Sequence, residues 1–225
     1  MGDRFSGPVG RVIDLAREEA ERFDHRYVGP EHLLLGLLRD GRSQAARILQ
    51  AHGVDLAAAR AALDRLANQG LVPGPRPSDA ELLGTLGIDL ERIRRSAEQT
   101  FGVQAVKDAI GEAVRARRGG VGRVPRTPLE GPAVLTSQAT WLASRRAEAL
   151  GQDAVDPEVL LLGVLEDIRT PWPRCMSNPW MRQLHASVGL PERYRGAAGA
   201  LLEALGVDLD ELREAVSAEL REPVS

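Results

Sequence analysis

Along residues 33–38 the chain runs Leu-Leu-Leu-Gly-Leu-Leu, and 127 residues later the run returns as Leu160-Leu161-Leu162-Gly163-Val164-Leu165. Each copy follows a Pro-Glu pair, Pro30-Glu31 and Pro157-Glu158. Upstream the same offset places Ala16 and Ala20 on Ala143 and Ala147. A register held this long marks an internal duplication. Each run has too few polar positions for a surface helix, so it predicts a short helix buried on most sides. Proline at the first helical position costs no hydrogen bond there, and a glutamate just inside suits the positive end of the helix dipole.

Helical spacing of apolar positions supplies the neighbouring elements. Val9, Val12, Ile13, Leu15, Ala16 and Ala20 predict a first helix to about Phe23, with Ser6 as N-cap and Phe5 as half of a hydrophobic staple. The buried helix at 30–39 ends at Asp40-Gly41, and a third helix carries Ala45, Ala46, Ile48 and Leu49 to Gly53. The junction Gly53-Val54-Asp55-Leu56 stops one helix and caps the next, which runs to about Leu66. Four helices make one repeat.

The second copy is expected to open with Thr136 as N-cap and Trp141, Leu142 and Ala149 on its apolar face. Its buried helix spans about 157–167. Gly206-Val207-Asp208-Leu209 repeats the capping junction, with Glu211 at capping-box spacing from Asp208. Between these the second repeat carries an insertion at about 169–195, which holds Trp172, Cys175 and Trp180. The two tryptophans either anchor a partner or pin the insertion to its own domain.

Between the copies, residues 70–78 are rich in Pro and Gly. The stretch Leu82 to Leu90 repeats part of the pattern, a helix reaches about Phe101, and an amphipathic segment covers 106–114. Arg115, Arg117, Arg118, Arg123 and Arg126 then lie among glycines and prolines. We read 115–132 as a mobile basic linker, a solvated tether rather than a nucleic-acid contact, because no aromatics interleave the arginines. The organisation expected is therefore 1–69, first repeat; 70–132, partial repeat and linker; 133–225, second repeat.

Composition narrows the function. The net charge of −3 argues against binding nucleic acid as a whole molecule, and the 4% aromatic content with abundant Ala, Leu and Arg favours an all-α fold. A single cysteine excludes an internal disulfide and fits a reducing cytoplasm. No apolar run is long enough to cross a membrane. No GxxxxGK[ST] phosphate-binding loop and no Cys/His spacing for a metal occur, and His25, His32, His52 and His185 are scattered. His32 follows Glu31 directly, so the two diverge on the helix, and a hydrogen-bonded role suits all four histidines. We see no catalytic constellation and expect neither an enzyme nor a cofactor.

The two Pro-Glu-x-Leu-Leu-Leu-Gly phrases, each followed by a Gly-Val-Asp-Leu junction, resemble the Clp N-terminal repeat family. That domain receives substrates and adaptors at the front of ClpA- and ClpC-type AAA+ unfoldases. Asp3-Arg4-Phe5-Ser6, Arg11 to Ala20 and His25 to Gly29 look like the ClpC version of its first helix and turn. The resemblance implies two pseudo-symmetric four-helix repeats, here joined by a helical and basic Gly/Pro-rich linker and without an ATPase module. It also implies ligands. In ClpC-type domains the matching glutamates bind phosphoarginine, which would place Glu31 and Glu158, with Pro30, His32 and Pro157, at ligand sites. The family carries threonine where this chain has Pro30 and Pro157, so a hydroxyl and an N–H are missing from the phosphate half. Phe5 lies where cyclic-peptide antibiotics bind such domains. The expected function is capture of a peptide, a phosphoarginine-tagged protein or a cyclic-peptide antibiotic, modulating or protecting a Clp protease. The alternative is a regulator docking on the unfoldase or its adaptors, with Trp172 and Trp180 as contacts.

Overall fold

The leucine run forms α2, Pro30–Asp40, in which every residue from Pro30 to Leu38 is buried. Around it lie α1 (Pro8–Arg22), α3 (Gln44–Ala51) and α4 (Leu56–Asn68). The computed structural model describes residues 5, 7–25, 27–73, 88–119, 133–170, 194 and 196–220. The described elements are all helical. After α5 (Leu90–Phe101) and α6 (Val103–Gly119), the second copy contributes α7 (Ala133–Ala149), α8 (Pro157–Arg169), α9 (Ala198–Ala204) and α10 (Leu209–Glu219).

Residues 1–75 and 127–225 form one unit and 76–126 another. In the first unit, both repeats share one apolar core, with Leu33, Leu34, Leu35 and Leu37 of α2 and Val159 to Leu162 of α8 all at most 1% exposed. Each such leucine contributes about 2 kcal/mol by leaving water.

The glycine inside each leucine run has a packing cause. A methyl group on Gly36 would lie 2.5 Å from Val12 O and 3.2 Å from Ala16 Cβ. One on Gly163 would lie 2.5 Å from Ala139 O and 2.8 Å from Ala143 Cβ. Val12 and Ala16 are related to Ala139 and Ala143 by the same 127-residue register. Glycine therefore lets the first helix of each repeat lie directly on the buried one.

Several helix boundaries differ from the sequence expectation. The N-cap of α1 is Gly7, at φ 67°, rather than Ser6, while Phe5 packs half-buried on the core. Helix α7 starts at Ala133, so Thr136 lies inside it and is no cap. Its core positions are Ala139, Ala143 and Ala147, whereas Trp141 is 51% exposed and Ala149 is exposed too. The register explains this, because Trp141 and Ala149 match Asp14 and Arg22 on the solvent face of α1. The helix α6 continues to Gly119, so Arg115, Arg117 and Arg118 belong to it and not to a linker. The aspartate caps hold: Asp55 accepts from Ala57 and Ala58 N–H, Asp89 from Arg92 N–H, and Asp208 from Asp210 and Glu211 N–H.

The second unit contributes the pair α5 and α6. No residue of α5 is buried, and Ile93, Phe101, Val103 and Ile110 are all more than half exposed. Residues 82–87, 120–132 and 171–193, with Trp172, Cys175, Trp180 and His185, lie outside the described residues.

Candidate ligand site at the two repeat glutamates

Glu31 and Glu158 do the same thing in opposite directions. Glu31 leaves the first turn of α2 and its Oε2 accepts the Ala197 N–H, at 2.7 Å, at the start of α9 in the other repeat. Glu158 leaves the first turn of α8, and its Oε1 accepts the Ala45 N–H, at 3.0 Å, at the start of α3. Each glutamate thus satisfies a helix-start donor that lacks an intrahelical partner, and does so in the opposite repeat. Ser43 adds a second cap to α3 through the Ala46 N–H.

The surroundings of the two carboxylates differ. Glu31 is fully buried, whereas Glu158 is only partly so. A methyl group on Gly29 would lie 2.7 Å from Glu31 Cδ, so glycine at the N-cap lets the carboxylate fold back. Gly196, at φ +103°, crosses Pro30 and Glu31 so closely that a Cβ there would lie 2.7 Å from Oε2. Tyr194 O–H donates to Glu31 Oε1 at 3.3 Å, and Tyr27 O–H can then donate to Tyr194, 2.9 Å away. Burial pushes the Glu31 carboxyl up, against the lowering effect of the Ala197 N–H. Burial likewise raises the hydroxyls of Tyr27 and Tyr194, with Glu31 adding to both, so both phenols stay protonated.

His32 packs beside this network without touching solvent. Its Nδ1 accepts the Gly29 N–H at 2.9 Å, and Nε2 lies 3.0 Å from Nδ1 of His25. The first bond removes the proton from Nδ1, so Nε2–H donates to His25. For the same reason the 3.6 Å approach of His32 Nδ1 to Glu31 Oε1 is not an ion pair. Burial, then repulsion by His32, lowers His25 to about 4, and burial lowers His32 to about 3. The rings of Phe23, His25 and Tyr27 stack, with His32 and Tyr194 edge-on to Tyr27. His52 is also structural, its Nδ1 bonding the Ile48 carbonyl at 2.9 Å.

Of the residues expected at ligand sites, Pro30, Glu31 and His32 therefore form one buried network, and Pro157 is buried beside the more open Glu158. Pro30 also borders a cavity of about 160 Å³ with Asp167, Ile168, Gly196 and Gly199. Phe5 stands on the core surface beside α1 and makes no hydrogen bond with either glutamate. Tyr194 belongs to no motif, and Tyr27 lies in the His25 to Gly29 turn with no sequence signal that marks it as a site residue. Tyr194 lies at the end of the insertion, three residues before the Ala197 that Glu31 caps.

A second cluster sits on repeat one. The buried Glu19 accepts from Arg60 Nε and Nη2 at 2.8 and 2.5 Å and from Arg39 Nη1 at 3.2 Å. Burial pushes this carboxyl up, but the Arg60 hydrogen bond and the arginine charges prevail and hold it below the usual range. Among the described residues no group of His, Cys, Asp or Glu is placed to hold a metal, and no helix is long and apolar enough to cross a membrane.

Residues 4–79 match the model of the Clp repeat (R) N-terminal domain. A probable ATP-dependent Clp protease ATP-binding subunit of Chlamydia pneumoniae is 41% identical over 70 residues, 31% of this chain and 8% of that protein. The chloroplastic chaperone protein ClpC2 of Oryza sativa subsp. japonica is 29% identical over 153 residues, 67% of this chain and 16% of that protein. The chain thus spans a sixth or less of these relatives' length. Its fold is similar to the N-terminal domain of the Arabidopsis thaliana chaperone ClpD, with a TM-score of 0.53 at 15% identity over 99% of this chain and all of that one. Residues 4–79 thus carry a Clp repeat N-terminal domain, similar in sequence to the N-terminal part of ClpC- and ClpA-type chaperones, and the chain as a whole shares the fold of such an N-domain.

Proposed function

We propose that this chain is a docking module of a Clp system: a regulator or adaptor-like protein that engages a Clp unfoldase, or its adaptors, through protein–protein contacts. The matched domain is a non-catalytic module, and the relatives that share it are named as Clp chaperones and ATP-binding subunits of Clp proteases. The observation that favours docking over capture of a small ligand at both glutamates is the sealing of Glu31. Its carboxylate is wholly buried and already holds Ala197 N–H and Tyr194 O–H. A guanidinium could reach it only by opening the packing that buries it. Docking is tested by titrating the full chain into a ClpC-type unfoldase and following ATPase rate and substrate degradation. A saturable change in either supports the reading, and no change with no co-elution ends it. Trp172→Ala and Trp180→Ala ask whether the insertion carries the contact.

A second reading rests on Glu158. This glutamate is partly exposed at the start of α8, and a carboxylate there can take an arginine side chain bidentately. Phosphoarginine, free or on a tagged protein, would then bind one repeat rather than two. Calorimetric titration with phosphoarginine tests it: one site per chain, lost in Glu158→Ala, supports the reading, and absence of heat refutes it. A ClpC-binding cyclic peptide, with Phe5→Ala as control, tests the antibiotic form of the same idea.

A further inference from the structure

Superimposing the repeats by their own register exposes a reversal of charge. Glu19 of α1 corresponds to Arg146 of α7, and Arg39 of α2 to Glu166 of α8, each 127 residues on. Arg60 lies five residues past the cap Asp55, as Arg213 lies five past the cap Asp208. Repeat one fills this place with a closed cluster, in which the fork of Arg60 grips the buried Glu19. Repeat two puts an arginine where that carboxylate stood. The flanking residues confirm the match of faces: Ala20 and Ala147 are buried beside Glu19 and Arg146, and Ala59 and Leu212 beside Arg60 and Arg213.

The consequence is visible in the hydrogen bonding. Nε of Arg146 and Nε of Arg213 are both buried without a partner. The Arg146 side chain makes no hydrogen bond or ion pair among the described residues, and the Arg213 side chain has only a 3.9 Å approach to Asp210, which itself pairs with Arg169. A buried donor left unpaired is costly and uncommon in a native fold. Two of them, at places that touch in the sister repeat, point to an acceptor brought from outside.

We infer that Arg146 and Arg213 form an anion-binding site on repeat two, built to take a carboxylate from an acidic peptide segment of a partner protein. Repeat one shows the bond concerned, because Arg60 holds a planar carboxylate there through Nε and Nη2 together. That bidentate geometry is what an arginine fork offers. Both arginines are half-buried, and the side chain of Arg213 is 42% exposed, so a modest side-chain rotation presents the fork at the surface. Glu166, which the register places where Arg39 stands in repeat one, and Asp210, 3.9 Å from Arg213, are acidic groups beside them that compete with an incoming carboxylate. The inference rests on the asymmetry of the repeats and stands whether or not the docking reading holds.

The test uses the full chain in phosphate-free buffer and follows the arginine ¹H–¹⁵Nε resonances. The probes are a blocked triglutamate peptide, the matching triglutamine peptide and inorganic phosphate. Saturable shifts of Arg146 and Arg213 with triglutamate alone, weakened about tenfold in R146M or R213M, are expected for loss of one charge-assisted pair. The double variant R146E/E166R copies the arrangement of repeat one and should melt higher while losing the peptide. It also guards against misreading a variant that fails to fold. Equal shifts with phosphate that vanish at physiological salt overturn the proposal as non-specific charge attraction. So does an absence of shifts, or resonances that move with E166Q and not with peptide.

Discussion

Glu31 Oε2 and the Ala197 N–H, 166 residues apart in the chain, meet at 2.7 Å and join the two repeats. Glu158 and Ala45 make the reciprocal bond at 3.0 Å. Glu31→Ala removes the acceptor from a buried N–H and from Tyr194, and should cost about 3 kcal/mol. Glu158→Ala, at a half-open site, should cost about 1 kcal/mol. Denaturant unfolding of the two variants checks the order, and equal losses would refute the asymmetry.

Gly36→Ala and Gly163→Ala should each destabilise the chain by about 2–3 kcal/mol, because the added methyl meets backbone of the crossing helix rather than a movable side chain. Thermal melts suffice to measure it. By contrast Gly53→Ala meets no atom within 4 Å, and its cost comes from the positive φ of 79° alone.

Stability should fall on acidification below about pH 6.5. His25 and His32 are held near 4 and 3 in the fold, below the ordinary imidazole range, so between pH 6.5 and 4 the unfolded chain binds more protons than the native one. Two such protons give a slope of at most about 2.7 kcal/mol per pH unit. Glu31 opposes them, since its raised carboxyl takes up a proton in the fold first. Repeat two carries Gln152 and Val159 at the corresponding places. A His25→Gln/His32→Val variant should therefore show a flatter dependence of unfolding free energy on pH, whatever its stability at pH 7.

Glu19→Ala leaves Arg60 and Arg39 facing an apolar patch without their carboxylate, and should cost about 2 kcal/mol after allowing for their partial exposure. Raised salt should not rescue it, because the lost partner is buried rather than screened.

The buried helices, the Asp55, Asp89 and Asp208 caps and the duplication were legible in the sequence because each is a local pattern or a repeat of one. The bonds of Glu31 and Glu158 were not, since their partners are backbone N–H groups in the opposite repeat and any residue but proline could supply them. The same limit hid Tyr194. The displaced boundaries had another cause. Thr136 looks like a cap by type, but the register equates it with Val9, one position inside α1. Trp141 reads as core by size, yet it matches the exposed Asp14. Where residue type and register disagreed, the register described the structure.

The exchange of glutamates between halves has a topological meaning. A bond from a first-half element to a second-half helix, answered by its mirror image, is the pattern of two identical subunits meeting across a two-fold axis. Here one covalent chain contains both subunits. Cutting the backbone between Gly119 and Ala133 should therefore leave the halves associated, and neither half expressed by itself should close its own helix starts.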